Sequence, residues 1–391
     1  MGNTLLRLSF LYICLLPLVL SLAHAQTDTV LINGKIITVD KNFSIASALA
    51  IRNGKIIAVG NDAEINRLIS NETHVIDLNG KTVVPGFIDG HAHMDREGLK
   101  FIPVSLDGAH SVQAIIEIIK REVEKKKPGE WIITMPIGDY PNFGVGPDFL
   151  DENRFPNRHD LDKVAPDNPV YIKGAWYYWT GHAPIVSIAN SYALKMANIT
   201  TETITPHGGM TIVKDGDGVP IGIFEETGPI GSVDYSLMKV VPRFSHKDRL
   251  AALRDAQRKY NAKGTTSIYE GHGVAPEVIR AYKELHKNNQ LTVRSHLVMS
   301  PTWDSVKEKT IDDAINDWSV VIGGKGSGDE MLKISGIYAE VGGTPQDVVR
   351  RTDSSYTGWS GQSVDAALPY SRGTLNDLIL SAAQNNTRVN A

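Results

Sequence analysis

Short apolar runs separated by turn residues dominate the chain from residue 29 to residue 82. Asn-Gly pairs at Asn33 and Asn53 each lie between runs rich in β-branched residues. Asparagine and glycine both tolerate the positive φ angles of a two-residue hairpin turn, so each pair predicts a β-hairpin. The pattern therefore predicts a small β-sandwich-like domain over residues 26–84.

Beyond His93 the apolar positions fall at helical spacing in some stretches and in short strand-like runs in others. Ser111 and Ser245 are predicted helix caps, Pro276 lies near the start of another helix, and a further helix is predicted from Thr374. Strands are predicted at residues 265–269, 291–297 and 331–341, with the beginning of another at 387–391. Helices that alternate with strands favour an α/β fold with a parallel sheet, either a barrel or an open doubly wound sheet.

The stretch from about residue 101 to residue 242 is richer in proline, glycine and aromatic residues than the flanking α/β units. We interpret it as an insertion over the barrel mouth. The predicted organisation is therefore a small β domain over 26–84 and an α/β region over 85–391 that contains this insertion.

The first 25 residues have the pattern of a secretory signal peptide. Arg7 precedes an apolar core from Leu8 to Leu22, and Ala23-His24-Ala25 provides a cleavage site of small residues. Pro17 interrupts the core, so an uncleaved membrane anchor is the less favoured alternative. The single cysteine, Cys14, lies inside this segment, and the mature chain would contain no disulfide and no cysteine nucleophile. A secreted or periplasmic location is predicted, without stable membrane insertion after cleavage.

Charge argues against a nucleic-acid partner. The 391 residues include 40 Lys and Arg against 44 Asp and Glu, a formal net charge of −4, with no long basic block. Phosphate recognition normally requires clustered positive charge. A small-molecule substrate is the expected partner, and the sequence leaves the oligomeric state open.

The strongest chemical signal is a pair of histidines, His91 and His93, at the end of the apolar run that begins at Val83. On a β-strand, residues i and i+2 share a face, so both imidazoles can reach one cation. Imidazole suits zinc and similar divalent ions, and two such ligands leave positions for water and substrate. The carboxyl end of a strand is also where barrel enzymes place their active sites. Without this context, a polar loop would be the simpler interpretation of the pair.

The segment Pro85–His93 resembles the first-strand signature of the amidohydrolase superfamily, and residues 32–36 and 51–60 resemble the strands that precede it there. Later segments are similar to motifs of the branch called amidohydrolase family 3, namely Gly181-His182-Ala183, Pro220–Glu226 and Gly264–Ser267. The resemblance implies a (β/α)8 TIM-barrel type of fold that binds one or two divalent ions, zinc first among them, and hydrolyses amide or related C–N bonds.

The same resemblance implies that His91, His93 and Glu226 are metal ligands. Glu226 could bridge to metal or orient a ligand histidine, and it could equally cap the turn that follows it. The catalytic base has no assigned residue.

Three further side chains are candidates for substrate binding. His182 lies beside an aromatic cluster that includes Trp179, and this cluster either lines the substrate pocket or forms the core of the insertion. Glu270, with His272 nearby, follows the predicted strand 265–269 and is expected at the active face. The alternative for Glu270 and His272 is that they are polar groups of a loop and have no functional role.

Two departures from the family pattern stand out. Tyr338 occupies the position where many relatives have a lysine that bridges two metals, and the later histidines and the aspartate of the family have no counterpart. A barrel with about five strands would keep open edges and an exposed apolar interior. We therefore expect an incomplete barrel that is a fragment of a longer protein.

For the complete protein, these features predict an exported hydrolase that attacks a small amide, urea-like or cyclic substrate with metal-activated water. The alternative is a truncated, catalytically inactive metal- or ligand-binding protein. A cytosolic deaminase of the same superfamily is disfavoured by the signal segment.

Overall fold

The computed structural model describes residues 27–175, 184–227, 231–300, 311–338, 340–342, 367–369 and 372–390. The predicted signal segment lies outside these ranges. Internal contacts divide the chain into two compact units, with the boundary between Pro85 and Gly86. Within the described ranges, no helix is both long enough and apolar enough to span a bilayer.

The described part of the first unit contains seven short strands and one short α-helix, which a 3-10 turn over Asn66–Leu68 follows. They are β1 (Thr29–Ile32), β2 (Lys35–Ile37), β3 (Ile45–Ala46), β4 (Ala48–Arg52), β5 (Lys55–Gly60), α1 (Asp62–Ile65), β6 (His74–Asp77) and β7 (Thr82–Val83). The strands form one sheet in the order β5-β4-β1-β6 and a second in the order β3-β2-β7. Val30, Ala48, Ala50 and Ile65 form the buried core of this unit.

Of the two Asn-Gly pairs singled out above, one closes a hairpin and one does not. Strands β4 and β5 pair antiparallel across Asn53 and Gly54, whose φ angles are 50° and 72°. The prediction was wrong at Asn33-Gly34, because β1 pairs with β4 and β6 while β2 pairs with β3 and β7. A Cβ on Gly34 would lie 2.2 Å from Leu78 Cδ1. Glycine there permits close packing as the chain passes from one sheet to the other.

The second unit contains the remaining elements. Its strands are β8 (Phe87–Asp89), β9 (Ile132–Thr134), β10 (Gly138–Asp139), β11 (Asn142–Phe143), β12 (Val170–Ile172), β13 (Ile185–Ala189), β14 (Met210–Lys214), β15 (Pro220–Glu226), β16 (Thr265–Val274), β17 (Arg294–Met299), β18 (Ser327–Gly328), β19 (Leu332–Tyr338), β20 (Glu340–Gly342), β21 (Ala367–Pro369) and β22 (Val389–Asn390). Its helices are α2 (Met94–Leu99), α3 (Val112–Val123), α4 (Arg158–Asp162), α5 (Ser191–Met196), α6 (His246–Ala262), α7 (Pro276–Lys287), α8 (Ile311–Ile322) and α9 (Arg372–Gln384).

A parallel half-barrel sheet forms the centre of this unit. Strands β8, β16, β17, β19 and β22 lie side by side in chain order, each parallel to its neighbour, and β18 pairs antiparallel with β19. Helices α6 and α7 connect successive parallel strands and bury Leu253, Ala256, Val278 and Tyr282 against the sheet. This arrangement confirms the predicted α/β class and the predicted incomplete barrel.

Residues 101–242 include a second sheet with its own hydrophobic cores. Its strand order is β14-β15-β13-β12-β9, with β12 and β9 parallel and the other pairs antiparallel. Helix α3 buries Ile115, Ile116 and Ile119 in one of these cores. Ser111 caps α3 as predicted, because its side chain accepts a hydrogen bond from the Ala114 N–H.

Strand β8 lies at an edge of the half-barrel. Among the described strands it pairs with β16 alone, and Phe87 and Ile88 are 60% and 75% exposed. The exposure arises because no described strand covers the other side of β8, as neighbours do on both sides in a closed barrel. That the chain is a fragment stays a prediction.

Helix α2 packs so closely on α6 that one residue between them must be small. A Cβ on Gly98 would lie 2.0 Å from the backbone oxygen of Ala252. Gly98→Ala is therefore expected to lower the free energy of unfolding by about 1–3 kcal/mol, because the helices must separate. Urea denaturation measures this change. Gly216→Ala is the control, since a Cβ added at Gly216 would meet nothing within 4 Å. Equal midpoints for the two variants would contradict the packing argument.

Candidate metal centre

The two histidines lie in the turn between β8 and α2. Strand β8 ends at Asp89, whose carboxylate accepts a hydrogen bond of 3.0 Å from the backbone N–H of His91. His93 is the residue that precedes α2, with φ −137° and ψ 53°. The expectation that the pair sits on the strand itself was therefore wrong. The turn nevertheless brings the two rings to a centroid separation of 5.0 Å, at an interplanar angle of 86°.

This separation suits two ligands of one ion. A metal about 2.1 Å from one nitrogen of each ring would lie roughly 3.3 Å from each ring centroid. With the centroids 5.0 Å apart, the two rings would then meet the ion at an angle of roughly 100°. His91 is exposed and the side chain of His93 is 26% exposed, so solvent reaches the pair. Across the described ranges, no group of three or more His, Cys, Asp or Glu side chains is placed to hold one ion.

A buried carboxylate lies directly behind His93. Glu270 Oε1 accepts hydrogen bonds from the Met94 N–H at 2.8 Å and from the Tyr282 hydroxyl at 3.0 Å. Its other oxygen, Oε2, lies 3.9 Å from His93 Nδ1. Burial raises the pKa of Glu270 to about 8; the charge of Asp95 adds to the rise and that of Arg96 opposes it. Glu270 thus faces a candidate metal ligand, and its role in substrate binding stays a prediction.

Two charged residues that sequence reasoning missed follow His93 at once. The Arg96 guanidinium contacts His93 Nδ1 through Nη2. Asp95 points the other way, with its Oδ2 3.3 Å from Nη1 of the buried Arg249, whose Nη2 lies 2.9 Å from Glu277 Oε1. Burial raises the pKa of Asp95, and the charges of Arg249 and Arg96 oppose this rise. The signal was present in the sequence, since the charged residues Asp95, Arg96 and Glu97 follow the histidine pair after Met94.

A third histidine, also unpredicted, lies on β17. His296 Nε2 contacts the Ser335 hydroxyl on β19, and its ring packs edge-on against Tyr269 at 5.1 Å. Burial lowers the pKa of His296, and the charges of Arg388 and Lys333 add to this effect. The Asn390 amide donates to the Tyr269 hydroxyl at 2.9 Å. These polar side chains connect neighbouring parallel strands of the half-barrel.

Glu226 lies on the other sheet, at the end of β15. Its carboxylate accepts hydrogen bonds from the Ser232 N–H at 2.8 and 2.9 Å, from the Val233 N–H at 3.2 Å and from the Ser232 hydroxyl. His207 Nε2 lies 3.6 Å from Oε1. Burial raises the pKa of Glu226, and the bonds from Ser232 oppose the rise. These contacts match the alternative in which Glu226 caps the following turn, and the structure does not bring it together with His91 and His93.

Glu226→Gln separates the capping role from a ligand role. The amide group of glutamine would face backbone N–H donors, so the free energy of unfolding is expected to fall by about 1–3 kcal/mol. Metal content is expected to stay unchanged. Urea denaturation and elemental analysis measure the two quantities. Glu225→Gln is the matched control, because this half-buried neighbour points to the opposite face of the strand. Loss of metal with unchanged stability would instead favour a ligand role for Glu226.

The remaining candidates are only partly described. His182 and Trp179 lie outside the described residues, as does the side chain of His272. Tyr338 is the last residue of β19 and is buried, in the place where relatives were expected to have lysine. A Cβ on Gly273 would lie 2.4 Å from Tyr338 Cβ, so the end of β16 packs tightly against this tyrosine.

Comparison with known proteins identifies the family. The family model described as "Amidohydrolase family" matches residues 74–390, and the chain belongs to that family, as the sequence motifs suggested. Protein LONG AFTER FAR-RED 3 of Arabidopsis thaliana is 31% identical over 251 residues, which cover 63% of this chain and 39% of that protein. N-substituted formamide deformylase of Arthrobacter pascens is 34% identical over 203 residues, which cover 51% of this chain and 34% of that enzyme.

A solved structure supports the same fold. An uncharacterized metal-dependent hydrolase from Pyrococcus horikoshii superposes with a TM-score of 0.59 at 22% sequence identity, over 92% of this chain and 64% of that one. The TIM-barrel type of fold inferred from the motifs is thereby confirmed. The matched region spans 39% and 34% of the two curated relatives, so the activity of the whole protein is a matter for proposal.

Proposed function

We propose that the protein is a metal-dependent hydrolase that cleaves a non-peptide C–N bond of a small molecule with metal-activated water. The observation that carries this proposal is the pair of imidazoles, 5.0 Å apart, at the carboxyl end of the first parallel strand. Membership of the amidohydrolase family supports it. So does the similarity to an enzyme named for removing formyl groups from N-substituted formamides.

We propose that the site binds one or two divalent ions, and that His91 and His93 are ligands. Imidazole ligands favour zinc among the divalent metals. When bound, such an ion lowers the pKa of a coordinated water and polarises the substrate carbonyl. Asp89 fixes the start of the histidine turn through the His91 N–H, and Glu270 fixes its end through the Met94 N–H. The proton-transferring base is not assigned among the described residues.

We also propose export through the segment over residues 1–25, and hence a secreted or periplasmic location. The proposed substrate is a small amide, urea-like or cyclic compound. The near balance of charge, with a net −4, makes nucleic acid an unsuitable substrate.

The test combines metal content with turnover. The purified chain is stripped with a chelator, reloaded with zinc or manganese, and offered a panel of N-substituted formamides, N-acyl amino acids and cyclic ureas. The proposal expects at least one metal per chain and hydrolysis that depends on it. Turnover that is equal in the stripped protein, or no bound metal, would overturn the proposal. Stoichiometric metal without turnover of any panel member would support the alternative, a metal-binding protein without hydrolase activity.

A further inference from the structure

Two hydrogen bonds from neighbouring groups hold the Glu270 carboxylate in a fixed orientation. The Met94 N–H and the Tyr282 hydroxyl both donate to Oε1, at 2.8 and 3.0 Å. Glu270 is 2% exposed and Tyr282 is fully buried, so water does not replace these bonds. The carboxylate therefore cannot rotate freely, and Oε2 stays directed at His93 Nδ1, 3.9 Å away.

Two groups of opposite hydrogen-bonding character face the same nitrogen of His93. Arg96 Nη2 contacts Nδ1, and a guanidinium can only donate, so this contact requires a lone pair on Nδ1. In its ionised form the Glu270 carboxylate can only accept, so a hydrogen bond between Nδ1 and that form of Oε2 requires a proton on Nδ1. A neutral imidazole has one protonated and one unprotonated nitrogen, and the two contacts therefore select different tautomers.

Metal binding would determine which tautomer His93 adopts. A histidine that binds metal through Nε2 carries its proton on Nδ1 and commonly donates it to a carboxylate. Arg96 cannot remain in contact with that N–H, whereas Glu270 Oε2 needs an approach of only about 1 Å to reach hydrogen-bond distance.

We propose that Glu270 is the positioning residue of His93, accepting its Nδ1–H when Nε2 binds the metal, and that Arg96 occupies Nδ1 when the metal is absent. This inference rests on the proposed metal-dependent function. Glu270 acts through His93 and not on the substrate. Arg96 then competes with the metal for His93.

Metal affinity tests the roles of Glu270 and Arg96, because removing each side chain is expected to change the affinity in the opposite direction. Competition with a chromogenic chelator is measured for the full chain and its variants. Glu270→Gln is expected to weaken zinc binding by about 10- to 100-fold, as loss of such a partner typically does. Arg96→Met is expected to strengthen binding, because the competitor is gone. Tyr282→Phe releases one bond to Oε1 and is expected to weaken binding by a few-fold, which keeps the inference testable if Glu270→Gln does not fold. Glu277→Gln, in the same charged cluster but not facing His93, is the matched control and is expected to leave affinity unchanged.

The tautomer of His93 provides a second readout that a purely structural role of Glu270 would not change. Nitrogen NMR of histidine-labelled protein, assigned with His93→Gln, is expected to show unprotonated Nδ1 without metal and protonated Nδ1 with zinc. Unchanged affinity and tautomer in both Glu270→Gln and Tyr282→Phe, with zinc bound normally by the unaltered protein, would overturn this inference alone. Failure of the unaltered protein to bind zinc would overturn the proposed function together with it.

Discussion

Replacing His91 and His93 together with asparagine is expected to abolish stoichiometric metal binding and to lower kcat/KM by more than about 1000-fold. Both imidazoles that would hold the ion are removed, and without the ion the pKa of the attacking water would no longer be lowered from its bulk value. The fold should persist, because His91 is exposed and the His93 side chain is partly exposed in a surface turn. Elemental analysis and hydrolysis of the best panel substrate measure the two losses.

A matched control separates the histidine pair from a general effect of removing histidine. His159 is exposed on α4 of the same structural unit, and His159→Asn is expected to retain full metal content and activity. If the double variant still bound one equivalent of metal, the ion would be held elsewhere and the proposed centre would be wrong.

Local signals predicted the elements of this fold well. Ser245 and Asp248 form the predicted capping box of α6, and the short strand expected after residue 386 is present as β22, which pairs with β19. Each of these features depends on residues within one turn or one strand. The Asn33-Gly34 hairpin failed because its two flanking strands find better partners far along the chain, which no local pattern reveals.

In the candidate site, too, features set by neighbouring residues could be predicted, whereas contacts between residues distant in sequence could not. The two histidines are separated by one residue, and the pair was recognised from the sequence. Glu226 and Glu270 both lie on apolar strands, and the sequence alone could not say which of them reaches the histidines. Strand pairing decides the question: β16 is parallel to β8, whereas β15 pairs with β13 and β14 in the other sheet. The Met94–Glu270 hydrogen bond joins residues 176 positions apart, and only the assembled sheet creates it.

Asp95→Ala is expected to produce the largest loss of stability, about 3–5 kcal/mol in the free energy of unfolding. The side chains of Asp95 and Arg249 are 1% and 3% exposed, and they face each other with 3.3 Å between Oδ2 and Nη1. Removing the carboxylate leaves the guanidinium buried with much of its charge uncompensated. Urea denaturation of metal-free protein measures the change without any contribution from a bound ion.

Two further variants show whether the loss comes from this buried charge. Glu277 contacts the same arginine, but its side chain is 43% exposed, so Glu277→Ala is expected to cost no more than about 1 kcal/mol. Asp95→Leu combined with Arg249→Met removes both buried charges and replaces them with apolar side chains, and it is expected to recover most of the stability lost in Asp95→Ala. A double variant as unstable as Asp95→Ala would show that packing of α2 against α6, and not the unpaired guanidinium, causes the loss.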